Sequence, residues 1–246
     1  LLPEHFPDIP NFDIHAVSIP AYDVGGDYYD FSTLWDGSPL VVIGDVSGKG
    51  ISASLYMAET KGVIQALTPI MSSTQELLES ANGALLRNTP QQAVFRRNFV
   101  TLGMLAFQKT GIRYIRAGHT PLLIVRENGT YEYIQPKGMA VGLMRQVLFN
   151  QMIEQLDILV QKGDAIVMFS DGITDTRNEE GEDYGYERFA KSVVEHRCAL
   201  TSRLMTERIL EDVIRFAATS TFGDDATVIV ARCTETPGQD ALVIPV

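Results

Sequence analysis

Cysteine is nearly absent from this 246-residue chain: Cys198 and Cys233 stand far apart, outside any metal-ligand spacing. A disulfide framework and a thiolate zinc site are thereby excluded, and a reduced, intracellular setting is expected. Basic clusters are missing too. No Lys/Arg run exceeds Arg96-Arg97, and 20 basic against 31 acidic residues leave a net charge of −11. A nucleic-acid surface needs a basic stripe that releases phosphate counterions, so that class is excluded, as is binding to an anionic membrane. No apolar run approaches the ~18–20 residues that cross a bilayer, and the start is not a signal peptide. Nor is there a recognisable Ser-His-Asp or Cys-His nucleophile to carry a covalent intermediate.

What is present is enough apolar material for a core: 45% hydrophobic residues against 21% charged. Alternating or apolar runs predict strands at 12–18, 28–33, 39–45, 99–107, 112–117, 122–125, 131–134, 149–159, 165–169 and 226–232. Helical spacing appears at 51–67, ended by Pro69, and again after the capping-box pattern Ser73-x-x-Glu76. Two further helices are expected at 186–196 and 202–218. Asn128-Gly129 marks a hairpin, and Trp35 beside Asp36-Gly37 reads as a partly buried hairpin anchor. No linker or repeat divides the chain. The expectation is one α+β domain over residues 1–233, a four-layer α-β-β-α sandwich of two mainly antiparallel sheets flanked by helix pairs, with a peripheral tail at 234–246.

Four aspartate-bearing turns sit at strand ends: Gly25-Gly26-Asp27-Tyr28-Tyr29-Asp30, Gly44-Asp45-Val46-Ser47-Gly48-Lys49-Gly50, Ser170-Asp171-Gly172 and Gly223-Asp224-Asp225-Ala226-Thr227. Asp45 and Asp171 close apolar strands, whereas Asp224 and Asp225 precede one. The four turns share one rim if that last strand runs antiparallel. Close carboxylates cannot all stay ionised. Divalent cations resolve the conflict, and oxygen donors without His or Cys suit magnesium or manganese. In this reading Asp45 bridges two ions, its neighbour's carbonyl adds an oxygen, Asp171 and Asp224 hold the second ion, and Asp27 completes the shell. Such a pair activates water for displacement at phosphorus.

Any one of these turns alone is ordinary, since Asp and Gly favour turns for local reasons. Other candidates lean structural. The 44–50 turn lacks the Walker pattern, because Lys49 is followed by Gly50. His119 is expected to be a hydrogen-bonding turn residue. Arg177 and Asn178, just beyond Asp171, are either substrate contacts or loop surface.

At these residues the chain resembles the SpoIIE/RsbU-type bacterial phosphatases, a branch of the metal-dependent PPM serine/threonine phosphatases. The resemblance runs from Leu1-Leu2-Pro3 through Pro20-Ala21-Tyr22-Asp23-Val24-Gly25-Gly26-Asp27, the Asp45 turn and Ala117-Gly118-His119. It continues at Lys162-Gly163-Asp164, Ser170-Asp171-Gly172-Ile173-Thr174-Asp175, Tyr184-Gly185-Tyr186-Glu187-Arg188-Phe189 and Asp224-Asp225-Ala226-Thr227. It implies a two-cation centre, Mn2+ or Mg2+, with Asp45 as bridging ligand and Val46 giving its backbone carbonyl. Asp27, Asp171 and Asp224 fall on the other ligand positions, Asp225 on an adjacent one, and Asp30 behind them. By resemblance, a metal-bridging water attacks phosphoserine or phosphothreonine on a STAS-domain anti-anti-sigma protein, in stress or sporulation partner switching. The resemblance also implies regulators acting through the helices of residues 51–87, an upstream sensory domain and a cytoplasmic location, with a homodimer left open and membrane anchoring only through a preceding region. The wider family's phosphate-gripping Arg before the first Asp motif is missing, since no Arg precedes Arg87. The alternatives are a catalytically silent relative that binds a STAS partner, and a nucleotide-binding module built on Gly48-Lys49-Gly50.

Overall fold

A computed structural model describes residues 2–3, 5–88, 98–218 and 222–238. The strands are β1 (Phe12–Ile19), β2 (Tyr28–Thr33), β3 (Pro39–Val46), β4 (Val100–Gln108), β5 (Gly111–Ala117), β6 (Leu122–Val125), β7 (Tyr131–Ile134), β8 (Gln155–Ile158), β9 (Ala165–Phe169) and β10 (Ala226–Cys233). The helices are α1 (Ile51–Leu67), α2 (Thr74–Asn88), α3 (Gln146–Gln151), α4 (Asp171–Thr174), α5 (Gly185–His196) and α6 (Ser202–Ala217).

Alternation along the strands decides the layering. Two five-stranded sheets, ordered β1-β10-β9-β6-β7 and β2-β3-β4-β5-β8, are antiparallel at every paired strand. Their facing side chains, among them Ile14, Tyr29, Val41, Ile43, Leu105, Ile166, Met168 and Ile229, make the central core. The alternate residues of β2, β3 and β4 (Tyr28, Val42, Leu102, Met104) turn outward to meet Met57 and Ile64 of α1 and Leu77, Leu78 and Leu85 of α2. On the far side Val167, Phe169, Val228 and Val230 pack against Phe189, Val193, Ile209 and Val213 of α5 and α6. The result is an α-β-β-α sandwich. Strands covered on both faces account for the near-continuous apolar runs of β4 and β9.

Three local expectations change. Residues 149–159 were expected as a strand, but α3 occupies the first part and β8 only Gln155–Ile158. Phe149 belongs to the helix, fully buried against the α1/α2 layer. Short apolar runs do not separate strand from buried helix, and tertiary contact decides. Phe149→Ala is expected to cost about 3–5 kcal/mol in denaturant unfolding; a loss below ~1 kcal/mol would place this helix outside the core. At the start of α2 the Glu76 amide donates to the Ser73 hydroxyl (3.1 Å), but the Glu76 carboxylate accepts from the Ser72 amide (3.0 Å) and hydroxyl (2.7 Å). The reciprocal contact is thus made one residue earlier than a capping box predicts. Trp35 is 73% exposed rather than a partly buried anchor. The tail expected at 234–246 lies outside the described residues from 239 onward.

Candidate metal centre

Register places the acidic turns on one rim. Tyr28 faces Gly44 across β2 and β3, which sets Asp27 beside the Asp45 end of β3. Val228 faces Phe169 across antiparallel β10 and β9, so the residues before β10 and after β9 meet at one end of the other sheet. Asp45 and Asp27 come from one sheet, Asp171, Asp224 and Asp225 from its partner.

The Asp27 carboxylate is buried and accepts a hydrogen bond from the Thr227 hydroxyl (2.7 Å). Burial first, then the charge of Asp45, pushes its pKa well above the ordinary carboxylate range. Asp45 is pushed up to about 7, by burial and then by Asp171, Asp224 and Asp225, against a hydrogen bond shared with Asp27. Asp171 is raised by burial, Asp175 and Asp224. Burial and mutual charge thus disfavour full ionisation of Asp27, Asp45 and Asp171 together. Lys49 relieves part of the repulsion: its ammonium lies 2.7 Å from Asp224 and donates to the Gly223 carbonyl (3.0 Å).

Asp225 has a different task. Its Oδ1 accepts from the Ala21 amide (2.8 Å), and its Oδ2 accepts from the amides of Gly26 (2.5 Å) and Asp27 (3.3 Å). The carboxylate thus clamps the loop that delivers Asp27. Two glycines make this approach feasible. A Cβ on Gly25 would stand 2.6 Å from Asp225 Oδ2, and one on Gly172 would stand 2.0 Å from the Asp225 carbonyl oxygen.

The Val46 carbonyl opens onto the same space, since a Cβ on Gly26 would meet it at 3.2 Å and Asp45 Oδ1 at 3.7 Å. A bare-backbone floor beside two oxygen donors, on a rim with the Asp27, Asp45 and Asp171 carboxyls of raised pKa, fits a hard divalent cation by the chemistry of the donor set. Among the described residues no three such side chains already enclose a common point. The carboxylates are instead engaged with one another, with Lys49 and with amides.

His119 lies buried just beneath. Its Nδ1 is 2.9 Å from the Thr101 hydroxyl, which donates to the Asp45 carbonyl (3.3 Å). Burial, then the charge of Arg116, lowers its pKa to about 3. Imidazole is therefore neutral here and props the Asp45 backbone rather than offering a proton. A lowered histidine pKa gives stability that is complete above ~6.5 and is lost as pH falls toward the folded value. Relative to His119→Asn, the wild type should lose about 1.4 kcal/mol per pH unit between pH 6 and 4. Parallel pH–stability curves for the two proteins would refute the assignment.

The sequence offers Lys49 only as part of a nucleotide loop, carries Thr227 and Asp175 in its motifs without a role for either, and gives Thr101 none. Their local motifs carry no mark of the distant partner. Arg177 pairs with Asp183 (2.9 Å) on the exposed loop.

The two-sheet sandwich is the fold of solved PP2C phosphatase domains, among them that of SpoIIE from Bacillus subtilis, with TM-score 0.71 at 20% identity over 90% of this chain and 63% of that one. A solved structure of the RsbU and RsbW domains of a Mycobacterium tuberculosis protein superposes with TM-score 0.73 at 22% identity, covering 94% of this chain and 62% of that one. RsbX in complex with magnesium superposes with TM-score 0.63 at 14% identity, covering 92% and 97% respectively. The family model described as stage II sporulation protein E (SpoIIE) matches residues 36–234. The phosphoserine phosphatase RsbU of Bacillus subtilis is 30% identical over 236 residues, 94% of this chain. The chain belongs to the SpoIIE family and is a phosphatase domain of the SpoIIE/RsbU type. It spans 66% of the length of that Bacillus protein.

Proposed function

We propose that this domain is a metal-dependent serine/threonine phosphatase that removes phosphate from a regulatory protein, a STAS-domain protein of a partner-switching circuit. The observation that carries the reading is the meeting of Asp27, Asp45, Asp171 and Asp224 on one rim with carboxyl pKa values of the first three raised by burial and mutual charge. The similarity to a protein named phosphoserine phosphatase RsbU supports the substrate class.

Two divalent cations, Mn2+ or Mg2+, would be held by Asp45, the Val46 carbonyl, Asp27, Asp171 and Asp224. Bound there, they supply Lewis acidity, lowering the pKa of water and offsetting phosphoryl charge. The chain's own residues prepare that place. Asp225 fixes the Asp27 loop, a contribution distinct from the ligand role that its motif position suggests. Thr101 and neutral His119 hold the Asp45 carbonyl, and Lys49 balances Asp224 until a cation takes over. A Lys49 ammonium committed to Asp224 is not available to cradle a nucleotide phosphate, which disfavours the nucleotide-binding alternative.

Among the described residues no helix is long and apolar enough to cross a membrane. A cytoplasmic location and a sensory region upstream belong to the same proposal, as in partner switching. The test is direct: hydrolysis of an aryl phosphate and of a phosphoserine STAS protein, with manganese, with magnesium and with chelator. Metal-dependent release of phosphate from both is expected. Tight STAS binding without turnover in either metal would instead establish a silent adaptor.

A further inference from the structure

Beside the rim lies a cavity of about 260 Å3 lined by Asp45 and Asp171 together with Arg116, His119, Gln135 and Tyr186. Arg116 is the one cationic side chain among its lining, because His119 is neutral. Its Nε donates to the Pro136 carbonyl (2.8 Å) and its Nη1 to the His119 carbonyl. Two neutral backbone acceptors fix the plane of the guanidinium and use two of its five N–H groups. Arg113, on the same strand, lies 2.6 Å from Asp157, and Arg126 pairs with Asp164 (2.8 Å) and Glu132 (2.7 Å). Arg116 takes part in no ion pair among the described residues. A half-buried cation is therefore oriented by two backbone acceptors, without an ion pair among the described residues, in the cavity that Asp45 and Asp171 also line.

We propose that Arg116 grips the phosphoryl group of the substrate, from the β5 side of the site. The inference deepens the function proposed above and rests on it. A phosphate dianion arriving at an acidic rim needs positive charge on the side away from the carboxylates as well as among them. A planar fork with spare N–H groups meets two phosphoryl oxygens at once. No Arg precedes Arg87 in this chain, so the first two strands and the Asp27 loop supply none. Arg116 delivers an equivalent charge from another strand.

The probe is inorganic phosphate, as inhibitor of manganese-supported aryl phosphate hydrolysis and as ligand in titration calorimetry of the manganese-loaded protein. Arg116→Ala is expected to weaken phosphate inhibition, and to raise KM for a phosphoserine peptide, by on the order of 10- to 100-fold. Arg116→Lys, which keeps the charge but not the fork, should fall between. Manganese activation should be unchanged or tighter, because a positive charge has left the neighbourhood of the ligands. Phosphate inhibition equal to wild type in Arg116→Ala overturns the proposal, as does the same result in Arg116→Lys should the alanine variant not fold. A parallel loss of manganese activation also overturns it, marking Arg116 as a structural prop. If the wild type shows no metal-dependent turnover, the function proposed above fails, and calorimetry judges Arg116 separately. Phosphate bound by wild type and bound more weakly by Arg116→Lys upholds the pocket; equal binding, or none by wild type, ends it.

Discussion

Asp45→Asn is expected to abolish manganese-dependent hydrolysis, by at least about 10³-fold or ~4 kcal/mol of activation free energy, while making the metal-free protein more stable at pH 8. Both effects have one origin. The folded protein raises the Asp45 carboxyl to about 7, because the group is desolvated and faces three other aspartates. A carboxyl raised above its unfolded value contributes stability that is complete below the unfolded pKa and is lost as pH rises through the folded one. At pH 8 the metal-free wild type therefore bears an ionised Asp45 in a repulsive setting, and the amide removes that cost. The gain should be roughly 1–3 kcal/mol at pH 8 and shrink toward pH 5. Chemical denaturation at both pH values, with chelator present, measures it. A variant that keeps a tenth of wild-type turnover would sink the ligand assignment. One that is less stable than wild type at pH 8 would sink the electrostatic account.

Asp225→Ala should do the opposite, weakening fold and activity together. The buried carboxylate accepts from three backbone amides of residues 21–27. Removing it leaves those donors without their acceptor and frees the loop that carries Asp27. Hydrogen bonds to a charged group contribute about 1.5–3 kcal/mol each in favourable cases, but neighbours are not additive, so a total of about 3–5 kcal/mol is expected. Manganese affinity should fall with it, because Asp27 is no longer held opposite Asp45. Asp225→Asn, which keeps an acceptor oxygen, should recover part of the stability and part of the affinity. Equal stability of the alanine variant and wild type would show that the loop is held by other contacts.

The strands were legible where local pattern and environment agree. β2, β6, β7 and β9 fall where alternation, apolar runs and the Asn128-Gly129 turn predict them. Residues 149–159 were misread because an apolar residue such as Phe149 fills a helix face as readily as a strand. The candidate site was legible as a set of residue types at strand ends, since aspartate beside glycine is visible in one dimension. Their division of labour was not. Asp224 and Asp225 are adjacent in sequence, yet one meets Lys49 and the other meets three amides some 200 residues away.

Composition and periodicity alone thus determined an acidic two-sheet domain with oxygen donors at its strand ends, because burial pattern and side-chain chemistry are local properties of the chain. Which carboxylates burden one another, which one serves the backbone, and where a guanidinium without an ion pair among the described residues stands were decided only when two sheets closed on each other. Charge interactions act through space over a few ångströms, and that distance is set by register between strands remote in sequence rather than by any motif.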